Sequence, residues 1–225
     1  RNKRFVLFTI ILPIGWYIFF YHLQKGVSPS ILLGIAVFIG VIGNSLATFS
    51  KRIASDIGFY SFESRFTSYS VKNYLWDQSI VQLIMNSLIF LAVLVVAVLG
   101  FHFPVTTSLL VQFFLLSLMG IYFSVIGFVL GVRVDAKTID TIGFPVIILA
   151  AMTIIPFDTL GASGGFMDLV GKLQRVFPGY YYTKLIQDLT EKQTIDVTQL
   201  ALFVAVFGVN LLFFYLLVPK GKMGN

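Results

Sequence analysis

Cysteine is absent from this 225-residue chain, which excludes a disulfide framework and any thiolate metal site. Charge is almost as scarce. Only 12% of residues are Asp, Glu, Lys or Arg, against roughly a quarter in soluble domains. With 57% hydrophobic residues and a mean hydropathy of +0.91, this excludes an ordinary water-soluble domain and implies an integral membrane protein. Histidine is reduced to His22 and His102, each at the end of an apolar run. Neither has a second ligand at helical spacing, so both read as interfacial residues rather than metal ligands. The formal charge of +6 does not point to nucleic acid, because the basic residues are scattered through short loops as bilayer topology requires.

What is present is a series of long apolar runs. Crossing roughly 30 Å of hydrocarbon at about 1.5 Å per residue takes about 20 residues. Six stretches meet that length, at about 5–23, 31–49, 79–101, 109–131, 141–157 and 199–218, and none contains Lys, Arg, Asp or Glu. The first is followed by five more, so it reads as a span and not as a removed signal peptide. The expected fold is a single all-α transmembrane domain over 1–225. With six spans both termini share a side. That side carries eleven lysines and arginines against five on the other, which predicts cytoplasmic termini and a multi-pass cell-membrane protein.

The longest polar interruption, 50–78, falls on the cytoplasmic side and holds four basic and three acidic residues. Phe59, Phe62, Phe66 and Tyr69 recur within it at i, i+3, i+7 and i+10, which predicts a cytoplasmic amphipathic helix with one aromatic face. On the opposite side the connection 158–198 is long. Phe166, Leu169, Val170, Leu173 and Phe177 follow helical spacing, and Tyr182, Leu185, Ile186 and Leu189 repeat it after Pro178. Two short re-entrant or interfacial helices are expected there, after a glycine-rich break at 161–165.

The bare spans restrict the chemistry. Proton- or ion-coupled transport generally needs an ionisable group at membrane depth. The deepest polar side chains are Asn44, Asn86 and Asn210, which suit interhelical hydrogen bonds. No nucleophile with a base, and no metal cluster, is arranged for catalysis. The nearest approach to a phosphate-binding loop, Gly165 to Leu173, has one residue too many between its glycines and no Ser or Thr after Lys172. The chain therefore reads as neither an enzyme nor its own ATPase.

Small residues recur where helices can approach closely. Ala36, Gly40, Gly43 and Ala47 line one face of the second span, and Gly120, Ser124, Gly127 and Gly131 line one face of the fourth. These stripes suit tight packing within the chain, or a subunit interface or moving seam. Pro145 and Pro156 remove backbone donors from the fifth span, beside Ala150, Ala151 and Thr153, and bend it. This leaves a static kink or a discontinuous element at an outer exit. Tyr180, Tyr181 and Tyr182 fit the interfacial aromatic belt, or the lining of such an exit.

This layout resembles the permease subunit of type-2 ATP-binding-cassette exporters over nearly the whole chain. The most specific part is GFPVIILAAMTIIPFDTLGASGGFMDLVGKLQRVFPGYYYTKLIQDL (143–189). In the family a proline-bearing fifth span, a proline-ended exit, two small re-entrant helices and a proline-led amphipathic stretch follow in this order, and Pro145, Pro156 and Pro178 hold those places. The loop after span two is a looser match. Asp56, Gly58, Glu63 and Arg65 stand where the family often has an acid near a Gly-Thr pair and then a second acid; the Gly-Thr pair is missing and the gap is longer.

The resemblance implies an exporter subunit of a bacterial plasma membrane that pairs with a second permease, identical or not. Two cytoplasmic ATPases would bind ATP and Mg, with no cofactor on this chain itself. Docking would fall on Asp56, Gly58, Phe59, Phe62, Glu63, Arg65 and Phe66. Uncharged spans predict a hydrophobic or amphipathic substrate, such as a drug, peptide or lipid. The alternative is a non-transporting membrane scaffold, sensor or immunity subunit that recruits a partner.

Overall fold

The computed structural model describes residues 6–63, 66–69, 71–157, 160, 164–192 and 194–217. They fold entirely into helices and turns, with no strand among the described residues. In chain order the helices are α1 (Leu12–Leu23), α2 (Pro29–Gly43), α3 (Ser50–Glu63), α4 (Val71–Phe101), α5 (Ser108–Arg133), α6 (Ala136–Met152), α7 (Gly165–Gln174), α8 (Pro178–Glu191) and α9 (Val197–Leu216). Two wider π-helical turns, Leu7–Ile11 and Asn44–Phe49, lead into α1 and join α2 to α3. The first sits directly before Pro13, which lacks the N–H and bulk tolerance that a regular α-turn needs there.

Four helical runs are long and apolar enough to cross a membrane: Pro29–Glu63, Trp76–Phe101, Ser108–Arg133 and Val197–Leu216. Thr9–Leu23 is a shorter apolar helix, and α6, at 17 residues, carries a largely apolar sequence behind a polar first turn.

The centre of the molecule is α2. It is apolar all round and almost entirely buried, the pattern of a helix enclosed by others. It packs against α1, α4, α5, α6 and α8. Around it a single core gathers Tyr17, Phe38, Tyr122, Phe123, Tyr182 and Phe203. The outer helices invert the soluble pattern. Phe144 and Leu149 of α6 and Val204, Val209 and Phe213 of α9 point outward, as a lipid-facing surface requires.

Helix ends follow from local chemistry. Asp135 caps α6 by accepting from the Lys137 and Thr138 amides, both at 3.0 Å, and Asp196 caps α9 through the Thr198 amide at 2.8 Å. His102 takes a left-handed conformation (φ 51°) to end α4, and Pro104 follows in the short turn to α5.

Three sequence boundaries shift. The helix of the third span begins at Val71 rather than at residue 79, because polar residues 71–78 continue the helix beyond its apolar part. The fifth runs over Ala136–Met152 instead of 141–157: the Asp135 cap starts it early, and the chain turns ahead of Pro156. The expected amphipathic helix is not a separate element either. The second span passes through its π-turn directly into α3, since neither glycine nor proline interrupts the chain between Asn44 and Ser55.

Candidate functional site

The polar interruption forms a helical hairpin, α3 against the start of α4, with its root braced by side-chain bonds and an exposed aromatic patch at its tip. At the root, Ser50 Oγ donates to the Leu46 carbonyl at 2.5 Å, Arg52 donates to Gln78 at 3.1 Å, and Lys51 pairs with Asp140 of α6. Phe49, Ile53, Tyr74 and Val132 close into a small second core, with Tyr69 packed on it. Asp56 accepts from the Tyr74 hydroxyl at 3.2 Å. That assigns Asp56 to joining the two arms of the hairpin.

At the tip, Phe59 and Phe62 are each 62% exposed and Phe66 is 74% exposed. The Phe62 and Phe66 rings lie 5.1 Å apart. Gly58 is exposed, with open space where a β-carbon would stand. Glu63 ends the helix, and its carbonyl accepts from the Phe66 and Thr67 amides at 2.9 and 3.1 Å. The single aromatic face therefore needs correction: α3 stops at Glu63, Phe66 continues the patch through a turn, and Tyr69 turns inward to the second core, donating to Asp77 at 2.6 Å. Arg65 lies outside the described residues.

The glycine stripe on α5 sets how closely this hairpin sits. A β-carbon at Gly127 would collide with the Ser45 carbonyl oxygen. One at Gly131 would stand 2.5 Å from the Ser50 carbonyl oxygen and 2.6 Å from Ile53 Cβ. Gly120 faces Asn86 of α4, at 2.5 Å from its Nδ2 by the same measure. Ser124 turns instead to its own helix, donating to the Gly120 carbonyl at 2.7 Å. Ala36, Gly40 and Gly43 are buried within the core helix, and Ala47 is half-buried.

The far end, around α7 and α8, distributes the remaining candidates unevenly. Pro145 is exposed inside α6, Pro156 is buried beyond its end, and Pro178 is buried at the first position of α8. Tyr182 belongs to neither an aromatic belt nor an exit. It is 2% exposed, packs edge-on against Phe38 at 4.6 Å and receives a hydrogen bond from Gln112 at 3.3 Å. Gly34 leaves it the necessary space. Tyr180 and Tyr181 remain half-buried and in ring contact with each other. A cavity of about 400 Å³ lies between α5, α6, α7 and α9, lined by Tyr122, Ala150, Thr153, Gln174, Phe177 and Phe214 among others. None of the expected proline and tyrosine exit residues lines it.

Of the three asparagines, Asn210 makes the expected bond between helices, accepting from Tyr122 at 3.3 Å and donating to the Val176 carbonyl at 3.0 Å. Asn86 accepts from Gln82 on its own helix. Asn44 Nδ2 is buried without a hydrogen-bond partner among the described residues.

The more consequential polar residues are glutamines that sequence reasoning passed over. Gln174 donates to the Met152 and Ile155 carbonyls at 2.7 and 2.8 Å, satisfying backbone freed where α6 ends. Gln112 donates to the Ser30 carbonyl at 2.7 Å, and Gln82 to Ser45 at 3.2 Å. For Gln82 and Gln112 a glutamine within an apolar run was the available signal; Gln174, flanked by Lys172 and Arg175, had none. His22 and His102 are both exposed, and His22 is in ring contact with Tyr21 and Phe101.

No family model matches the chain, and no curated protein or solved structure matches it. What the fold defines is a helical protein with several helices able to span a membrane.

Proposed function

We propose that the chain is the membrane subunit of an ATP-driven exporter for a hydrophobic or amphipathic substrate. The ATPase is a separate cytoplasmic protein, docked on the tip of the α3–α4 hairpin. In this reading the six spans are α1, α2 with its π-turn, α4, α5, α6 and α9, both termini are cytoplasmic, and a second permease subunit completes the path. ATP and Mg belong to the partner.

The observation that carries the reading is the Phe59, Phe62 and Phe66 patch, exposed at the end of an otherwise polar hairpin. Clustered apolar surface rimmed by polar residues marks a protein contact, and aromatic anchors dominate such contacts. The lever is supported by continuity: α3 extends the central helix without a break, and Lys51 and Arg52 brace it against α6 and α4. A movement imposed at the tip is thus delivered to the core helix. The apolar runs within these helices carry no Lys, Arg, Asp or Glu to act as a counter-ion, which supports an amphipathic cargo.

Affinity purification from the native membrane tests this. The expected companion is an ATPase whose turnover in lipid responds to amphipathic compounds, and replacing Phe59, Phe62 and Phe66 together with Ala releases it. Full association and transport in that triple variant would refute the docking assignment. An associated ATPase indifferent to any substrate would favour the non-transporting scaffold.

A further inference from the structure

The chain between α7 and α8 runs deep. The Val176 carbonyl accepts from Asn210 Nδ2 at 3.0 Å. Asn210 stands thirteen residues past Val197, about 20 Å from that end of α9 and about 10 Å from the other. It also accepts from Tyr122, which is about 21 Å from the Ser108 end of α5 and about 16 Å from its Arg133 end. Both helices are long enough to cross a membrane. Farther along the chain, Tyr182 is met by Gln112, one turn from the Ser108 end. The α7–α8 pair is therefore a re-entrant hairpin that reaches mid-depth near Val176 and climbs back along α8.

This path carries Arg175 to the same depth. Its side chain is exposed, and its guanidinium lies 5.8 Å from the centre of the Tyr180 ring. Among the described residues it has no hydrogen bond and no ion pair. Lys184 Nζ stands at the same distance from that ring, so two cations gather at Tyr180. The one acid of α7, Asp168, lies two turns from Arg175, about 10 Å. None of the six apolar runs brings another. Leu173 and Val176, both exposed, place hydrocarbon on either side of Arg175 in the chain.

A guanidinium does not deprotonate, and an unpaired charge at the bilayer centre is costly. A ring face makes up only part of that cost. The missing partner is an anion, and the planar fork of arginine selects a carboxylate or a phosphate. A phospholipid in its ordinary place fits poorly, because its phosphate stays about 15 Å from the midplane. A free inorganic anion has no apolar body to bring it there.

We propose that Arg175, set against Tyr180, is a mid-membrane site for the carboxylate or phosphate of a single-chain amphiphile. As a binding site it stands without the exporter; as the charged end of the cargo it rests on that reading.

The probe is radiolabelled dodecyl phosphate, bound to the purified protein in maltoside micelles. Dodecanoate should displace it, whereas dodecanol, dodecyl-trimethylammonium and inorganic phosphate should not. Arg175→Gln should weaken binding about tenfold or more. Displacement by dodecanol as strong as by dodecanoate would overturn the proposal, and this comparison on the native protein holds even where Arg175→Gln fails to fold. An unchanged affinity in a folded Arg175→Gln would do the same. In nanodiscs the affinity should not change when phosphatidylglycerol replaces phosphatidylcholine; displacement by phosphatidylglycerol would give the site to a lipid phosphate instead.

The depth is tested separately. The chain has no cysteine, so Val176→Cys accepts a single spin label. In bilayers that label should be shielded from water-soluble relaxation agents and open to oxygen, unlike a label at Lys192→Cys, at the exposed end of α8. Equal access of the water-soluble agent to both would remove the re-entrant placement and the proposal with it. No ATPase takes part in either measurement, so a failure here leaves the docking test untouched.

Discussion

The hydroxyl of Tyr182 stands 2.6 Å from the point a β-carbon on Gly34 would occupy. The contact joins α8 to the central helix and explains why a bulky, polar-tipped side chain is fully enclosed. Gly34→Ala should destabilise the protein by about 1–3 kcal/mol through overpacking. In the Tyr182→Phe background, which removes the clashing oxygen, the same change should cost less. A coupling of about 0.5–3 kcal/mol is expected for residues in direct contact. Thermal unfolding of the four proteins of the cycle measures it, and strictly additive effects would contradict the contact. Gln112 keeps the Ser30 carbonyl in the absence of the hydroxyl, so Tyr182→Phe alone should be mild.

The glycines of α5 and α6 should respond in opposite directions. At Gly127 and Gly131 the obstruction is backbone, the Ser45 and Ser50 carbonyls, which cannot rotate aside. Alanine there should cost about 1–3 kcal/mol each. At Gly143, inside α6, nothing lies within 4 Å of an added β-carbon. Alanine there should be neutral or gain up to about 1 kcal/mol of helix propensity. Melting temperatures in detergent distinguish the sites, and a harmless Gly127→Ala would mean that α5 does not pack against the π-turn.

These two sets of residues also mark how much was legible beforehand. Hydropathy located the apolar runs, because burial in lipid demands a long uncharged stretch whatever the neighbours do. It could not locate helix ends. Residues 71–78 and Ala136–Asp140 carry charge yet remain helical, since charge opposes membrane depth and not helix formation. The spacing of Gly127 and Gly131 announced a close approach, but only the fold says that Ser45, Ser50 and Ile53 fill it. Tyr182, set in a three-tyrosine run after Pro178-Gly179, has the local signature of an interfacial residue. Its burial is decided by a glycine on a distant helix, which no local pattern contains. The candidate docking patch was half visible: the periodicity found Phe59 and Phe62, but the turn after Glu63 separates Tyr69 from them.

Gln174 carries a prediction that sequence periodicity alone would not suggest. Its amide donates to two carbonyls, Met152 and Ile155, where α6 unwinds before Pro156. In a low-dielectric setting such carbonyls have no water to turn to. Gln174→Leu preserves bulk but takes the donor from the Met152 carbonyl, while the Ile155 carbonyl keeps the Phe157 amide at 2.9 Å, and should cost about 1–3 kcal/mol. Hydrogen exchange should rise in 153–157 before any change in α2. Uniform protection in the variant would show that another group supports that turn.

Asp135 gives the protein an acid-sensitive joint at the start of α6. The Thr138 hydroxyl donates to its carboxylate, and the Thr138 and Lys137 amides add to this, holding the group below the usual carboxylate range. A folded-state value below the unfolded one stabilises the fold at pH above the ordinary carboxylate range. That contribution is lost as pH falls through the folded value. Asn at this position retains an oxygen to cap the helix but does not titrate. The melting temperature of the native protein should therefore decline on acidification more steeply than that of Asp135→Asn, with the two close together at neutral pH. Parallel curves would remove Asp135 from the acid response and leave the cap with a purely geometric role.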